Sequence, residues 1–98
     1  MRVYFKDTDL EVILRGINQE LTQSSLKKMI GFTIEGSFVV LTISKLGKSY
    51  IKLSSQSFEK GLLFQVAEEH VLPHHQVLRP MVMGQLEKVL TKAGAEIR

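Results

Sequence analysis

The sequence predicts a single α+β domain spanning residues 1–98: an N-terminal helix, a four-stranded antiparallel meander and a C-terminal helix, in the order α-β-β-β-β-α. Three observations predict it. Apolar residues recur at helical spacing near each end of the chain, and short runs rich in β-branched and aromatic residues, separated by glycine-containing turns, lie between them. The third is Phe38-Val39-Val40-Leu41-Thr42-Ile43, a strand signal that is apolar on both faces. Side chains alternate along a strand, so Phe38 and Val40 point one way and Val39, Leu41 and Ile43 the other. A meander strand with one solvated face alternates apolar and polar residues. Each face of this one therefore needs a cover, whether a helix, a partner chain or a ligand.

The first helix opens on Thr8-Asp9-Leu10-Glu11, which reads as a capping box with Thr8 as the cap. Leu10, Ile13, Leu14, Ile17 and Leu21 then form one face, and Thr22-Gln23-Ser24-Ser25 ends it, with a short helical turn possible at Leu26–Met29. In the first strand Ile30, Phe32 and Ile34 alternate with Gly31, Thr33 and Glu35. Gly36-Ser37 is a hairpin signal in which glycine supplies the positive φ of a type II′ turn. After the doubly apolar strand, Lys45-Leu46-Gly47-Lys48 is a second turn and Tyr50–Leu53 the third strand. Ser54–Gly61 reads as a polar loop, and Leu62 to about Val71 as the fourth strand, with Leu62, Phe64 and Val66 on one side. Pro80 suits the first turn of the last helix. Its stripe is Val82, Leu86, Val89, Leu90 and Ala93, Lys88 and Lys92 complement the dipole at its end, and Gly94 terminates it. Gly84, inside this helix, is expected to admit a close neighbour.

Cysteine is absent, which excludes disulfides and thiolate metal sites and fits a reducing compartment. The longest apolar run, Phe38–Leu41, is far below the ~20 residues of a membrane span. The first residues contain no apolar signal region, so the expected location is cytoplasmic. The net charge of +3 is unevenly placed. Between Lys27 and Lys60, six lysines (Lys27, Lys28, Lys45, Lys48, Lys52, Lys60) face only Glu35 and Glu59. Such a segment attracts phosphates or anionic lipid heads. The plainer account is that lysines at turns and edges keep a sheet soluble.

No reaction signature is present: no nucleophile elbow, no glycine-rich phosphate loop, and no cofactor motif. Glu68, Glu69, His70, His74 and His75 are the one cluster with acid/base or metal-ligating potential. His70 and His74 would share a helix face, but Pro73 argues against that helix. The expectation is an exposed strand end and loop, with no metal and no catalytic residue. Met81 and Met83 flank Val82 at the start of the last helix, where methionines serve as core filler or as an adaptable surface.

Two resemblances accompany this reading. Gly31-Phe32, Gly36-Ser37, His74-His75 and the tail Gly84-Gln85-Leu86-Glu87-Lys88-Val89-Leu90-Thr91-Lys92-Ala93-Gly94 resemble the HicA family, small RNA-cleaving toxins with a double-stranded-RNA-binding-like fold. Phe38 stands where that family has its catalytic histidine, so the resemblance implies nucleic-acid binding without RNase activity. Residues 30–92 also resemble half of a bacterial tubular lipid-binding (TULIP-type) domain, through the turn opening an apolar strand, Gly61-Leu62-Leu63-Phe64-Gln65-Val66, the Leu72-Pro73 break and the closing helix. That resemblance implies an amphipathic ligand held between sheet and helix.

The function expected from the sequence is therefore a small non-enzymatic binding or assembly module. Its surface would draw on Phe38, Val39, Val40, Leu41, Ile43, Phe64, Met81 and Met83, and its partner would be a protein, a second copy or an amphipathic ligand. Nucleic-acid binding through the six lysines is the alternative.

Overall fold

The doubly apolar strand is covered on one side only. The computed structural model describes residues 2–98, which form β1 (Arg2–Phe5), α1 (Leu10–Leu21), β2 (Ile30–Glu35), β3 (Phe38–Ile43), β4 (Ser49–Phe58), β5 (Gly61–His70), α2 (Pro73–Gln76), α3 (Arg79–Lys92) and β6 (Glu96–Ile97). The strands make one antiparallel sheet in the order β2-β3-β4-β5-β1-β6. Helices α1 and α3 lie against each other on the same face. Ile13, Ile17 and Leu21 of α1 and Val82, Leu86, Val89 and Leu90 of α3 meet Phe32, Val39, Leu41, Ile43, Ile51 and Phe64 of the sheet in one buried core. Phe38 and Val40 sit on the other face, over which no helix passes.

The mixed α+β class and the antiparallel sheet agree with the sequence, while the strand and helix counts exceed it. The two unforeseen strands depend on distant partners. Val3, Tyr4 and Phe5 are all buried and lack alternation, and β1 exists because it pairs with Leu62–Gln65. β6 is two residues long and is fixed by Val3 and Tyr4. The expected loop at Ser54–Gly61 is instead a hairpin: Ser54–Phe58 extends β4 against β5, and Glu59 turns the corner at φ +55°. Ladder pairing outweighs the low strand preference of this polar run. The α1 cap is Asp9 rather than Thr8, since the Asp9 carboxylate accepts from the amides of Glu11 and Val12. Pro73 does prevent a helix through His70–His74, yet it opens the single turn α2 as its first residue.

One irregularity decides which side chains share a face. Lys52 pairs with Glu68 but Leu53 pairs with Val66, leaving Ala67 as a bulge. Without it, Phe64, Val66 and Glu68 would all point towards the helices. The extra residue instead turns Glu68 and His70 onto the uncovered face and Glu69 onto the helical side. There Glu69 meets Arg79 at the start of α3, 2.7 Å away.

The glycine that admits a close backbone neighbour is Gly61, and Gly84 admits none. A Cβ on Gly61 would stand 1.9 Å from the Phe5 carbonyl oxygen, a backbone atom, whereas one on Gly84 meets nothing within 4 Å. Gly61→Ala should thus force β1 off β5 and cost about 3 kcal/mol or more. Gly84→Ala, at an exposed helical position, should stabilise by ~0.5–1 kcal/mol. Urea denaturation of the two variants checks both signs.

Candidate functional site

The apolar residues singled out in the sequence do not form one surface. Val39, Leu41, Ile43 and Phe64 belong to the core beneath the helices, and Met83 packs half-buried against it. Phe38 and Val40 lie on the opposite face, and Met81 is exposed on the first turn of α3. The void left between helices and sheet, lined by Leu10, Leu14, Phe32 and Leu90 among others, is ≈ 20 Å³, room for about one water. A lipid tail would have to part the helices from the sheet.

The uncovered face is closed by its own side chains. Tyr4, Val40 and Leu63 are buried on it although no helix lies above. The Lys52 ammonium stands 5.8 Å from the Phe38 ring centre and 5.9 Å from that of Tyr50, and it pairs with Glu35 at 3.2 Å and Glu68 at 3.8 Å. The Arg98 guanidinium lies over Tyr4 at 4.5 Å and over Phe58 at 5.6 Å, held by Glu96. Long cationic side chains spread over aromatic rings in this way shield apolar area while their charge stays wet. On this face Lys52 is paired with Glu35 and Glu68, and Arg98 with Glu96, so these two cations are not free for a phosphate backbone.

A different surface emerges at one end of the 38 Å long molecule. Three connections converge there: residues 22–29 before β2, residues 44–48 between β3 and β4, and residues 71–81 leading through α2 into α3. Ser44 donates its amide to the Met29 carbonyl, tying the first to the second. His74 donates from Nε2 to the Leu46 carbonyl at 2.6 Å, and His75 from Nε2 to the Lys45 carbonyl, tying the second to the third. Leu72 packs on Gly47, where φ is +118° and an added Cβ would lie 2.8 Å from Leu72 Cδ1.

His75, expected on an exposed loop, is fully buried, as is Ser49. A carbonyl only accepts, so His75 Nε2 carries the hydrogen. The Leu72 amide donates to Ser49 Oγ at 2.9 Å, and the Ser49 hydroxyl donates to His75 Nδ1 at 2.5 Å. Every polar atom of the pair is thereby matched, as buried groups require. A serine beside a histidine is the arrangement of an activated nucleophile. Here both side chains are out of reach of any substrate, and their work is to clamp α2 to the β3–β4 turn. His70 lies apart on the uncovered face, stacked with Tyr50 at 5.6 Å between ring centres. The His74 and His75 rings touch at 4.4 Å between centres without His70, and among the described residues no cluster suited to a metal ion is found.

The connections at this clamped end are rich in positive charge. The three connections contain Lys27, Lys28, Lys45, Lys48 and Arg79 and not one carboxylate. Arg79 is paired with Glu69, whereas no carboxylate of the described residues lies within ion-pair distance of the four lysines. Of the six lysines noted in the sequence, these four come together, Lys52 is engaged on the uncovered face, and Lys60 is at the opposite end in the β4–β5 turn. The same end holds the two most exposed large apolar residues, Leu46 at 83% and Val77 at 82%. Leu46 stands at φ +56°, a left-handed conformation costly for a side chain with a Cβ. Val77 keeps helical backbone angles three residues after His74 and four before Met81, so the three follow one side of the α2–α3 segment. Leu46, Val77 and Arg79 were not among the sequence candidates. The available signal was an apolar residue flanked by lysines at a turn tip.

No protein-family model matches the chain, and neither a curated protein nor a solved structure matches it. The described residues include no helix long and apolar enough to cross a membrane.

Two outcomes follow from these contacts. Ser49→Ala leaves the Leu72 amide and His75 Nδ1 without partners in a buried site. It should cost on the order of 2–4 kcal/mol in urea denaturation and speed hydrogen exchange at the Leu72 amide. On the uncovered face, the hydrogen bond to Glu68 and that carboxylate's charge hold the Tyr50 hydroxyl above its ordinary value of 10.0. The favourable contribution is therefore complete below pH 10 and is lost as pH rises through the elevated value. Spectrophotometric titration should show Tyr50 ionising later than a free tyrosine, and Glu68→Gln should bring it back down.

Proposed function

We propose that this chain is a small non-enzymatic binding module that engages an anionic partner surface through the end built from residues 22–29, 44–48 and 71–81. The observation that carries the reading is the conjunction found there: four lysines with no carboxylate at ion-pair distance, beside Arg79 held by Glu69, on the same clamped connections as apolar side chains held out in solvent. Leaving Leu46 and Val77 uncovered in a soluble fold stabilises nothing, and the left-handed backbone at Leu46 adds strain of order 1 kcal/mol. Contact with a partner gives both a use. The self-covered sheet face, with Lys52 and Arg98 already paired, supports partner binding less well.

Nucleic acid is the second reading for the same lysines, supported by their clustering alone. The test is amide chemical-shift mapping while the protein is titrated separately with soluble polyphosphate, an RNA duplex and anionic vesicles. Salt-sensitive shifts confined to residues 27–28, 45–48 and 74–81 are expected with at least one of them. Shifts centred on Phe38, Tyr50 and Lys52, or no shifts with any titrant, would remove the reading.

A further inference from the structure

The partner's chemistry is the next question, and the answer rests on the binding-module reading above. We infer that this end docks on an anionic lipid bilayer, with Leu46, Val77 and Met81 entering the headgroup–acyl boundary while Lys27, Lys28, Lys45 and Lys48 meet the lipid phosphates.

The argument turns on which uncharged groups accompany the lysines. A protein that grips single-stranded nucleic acid sets aromatic rings beside its cations, because bases stack on them. The three connections contain no phenylalanine, tyrosine or tryptophan. The four phenylalanine and tyrosine rings that lie under cations, Phe38, Tyr50, Tyr4 and Phe58, are covered by Lys52 and Arg98 away from this end. The rings of His74 and His75 are turned to backbone carbonyls. The groups that do project are aliphatic: a leucine at a turn tip, a valine and a methionine along one side of a helical segment. Aliphatic side chains gain nothing from a phosphate backbone. They gain from the acyl boundary of a bilayer, ~5–10 Å below the surface, which is where interfacial elements place their apolar side chains.

The scaffold suits this use. A membrane-docking tip must stay exposed rather than collapse onto the protein. Leu46 is kept out by its left-handed backbone, with its carbonyl held by His74 and the next residue seated on Leu72. Val77 is kept out by the joint between α2 and α3, fixed in place through the buried Ser49–His75 pair. Few apolar groups enter, so the attachment is reversible and needs both components. Each lysine near an anionic leaflet contributes about 1 kcal/mol, roughly fivefold in partition. Neither the lysines alone nor three side chains alone make a firm anchor.

The experiment is vesicle co-sedimentation of the full chain, using phosphatidylcholine vesicles with and without phosphatidylserine, at low and high salt. The variants are Leu46→Ser/Val77→Ser, Lys45→Gln/Lys48→Gln and, as a control at the far end, Lys60→Gln. Circular dichroism establishes that each is folded, and Leu46 and Val77 are too exposed for their loss to unfold the domain. Binding to the phosphatidylserine vesicles is expected to exceed binding to phosphatidylcholine alone by about tenfold or more. The Leu46/Val77 double variant should weaken it about tenfold, the Lys45/Lys48 pair by about 25-fold, and Lys60→Gln very little. Full binding by Leu46→Ser/Val77→Ser, equal binding to both vesicle types, or tighter binding to an RNA duplex than to vesicles would each overturn the inference. Should vesicles fail while polyphosphate or RNA still shifts the amides of this end, the binding-module reading stands and only the membrane is excluded. Should nothing shift them, both fall.

Discussion

The packing of α1 against α3 over a single face of the sheet governs the rest of this molecule. Two amphipathic helices use their apolar stripes on Phe32, Leu41, Ile51 and Phe64, and no helix of the described residues then covers the other face. That face must be made tolerable to water by other means, and Lys52 and Arg98 do so by lying across aromatic rings between carboxylates. The strand register brings the lead into β2, the β3–β4 turn and the exit from β5 to one pole.

At that pole polar contacts join apolar ones. Leu26, Met29, Val71 and Leu78 tie the connections to the core, while backbone groups there have few ladder partners. The Ser49–His75 pair, the Leu72 amide and the Lys45 and Leu46 carbonyls satisfy one another. A fully matched buried polar network fixes geometry more narrowly than apolar contact does, because each member accepts only one arrangement of donors. Rigidity at the base is what allows the tips of the connections to stay uncovered.

Much of the core was legible in the sequence. The stripes of α1 and α3, the Gly36-Ser37 turn with its positive φ and the two-sided character of β3 all follow from local periodicity. What was not legible depends on pairing between distant segments. Arg2–Phe5 is an undistinguished apolar triplet until Leu62–Gln65 lies beside it. Ser54–Ser57 reads as loop because its serines have no local reason to be extended. The bulge at Ala67 leaves no compositional trace, although it decides that His70 faces Tyr50 and Glu69 faces Arg79. Of the candidate surface, the lysines were visible but their convergence was not, since Lys28 and Lys45 become neighbours only when β2 pairs with β3. The buried role of His75 was hidden for the same reason.

The uneven placement of charge between the two ends has a consequence beyond contact itself. Asp7, Glu59 and Glu96 gather at the pole opposite the lysines, where they offset Lys6, Lys60 and Arg98. The molecule is therefore an electric dipole as well as a weak cation. At physiological ionic strength fields decay over ~8 Å, a fraction of its 38 Å length. Far from a charged body it tumbles freely. Within the last screening length a torque acts on it, turning the lysine pole inward before any side chain touches, so that orientation is selected during the encounter rather than after it.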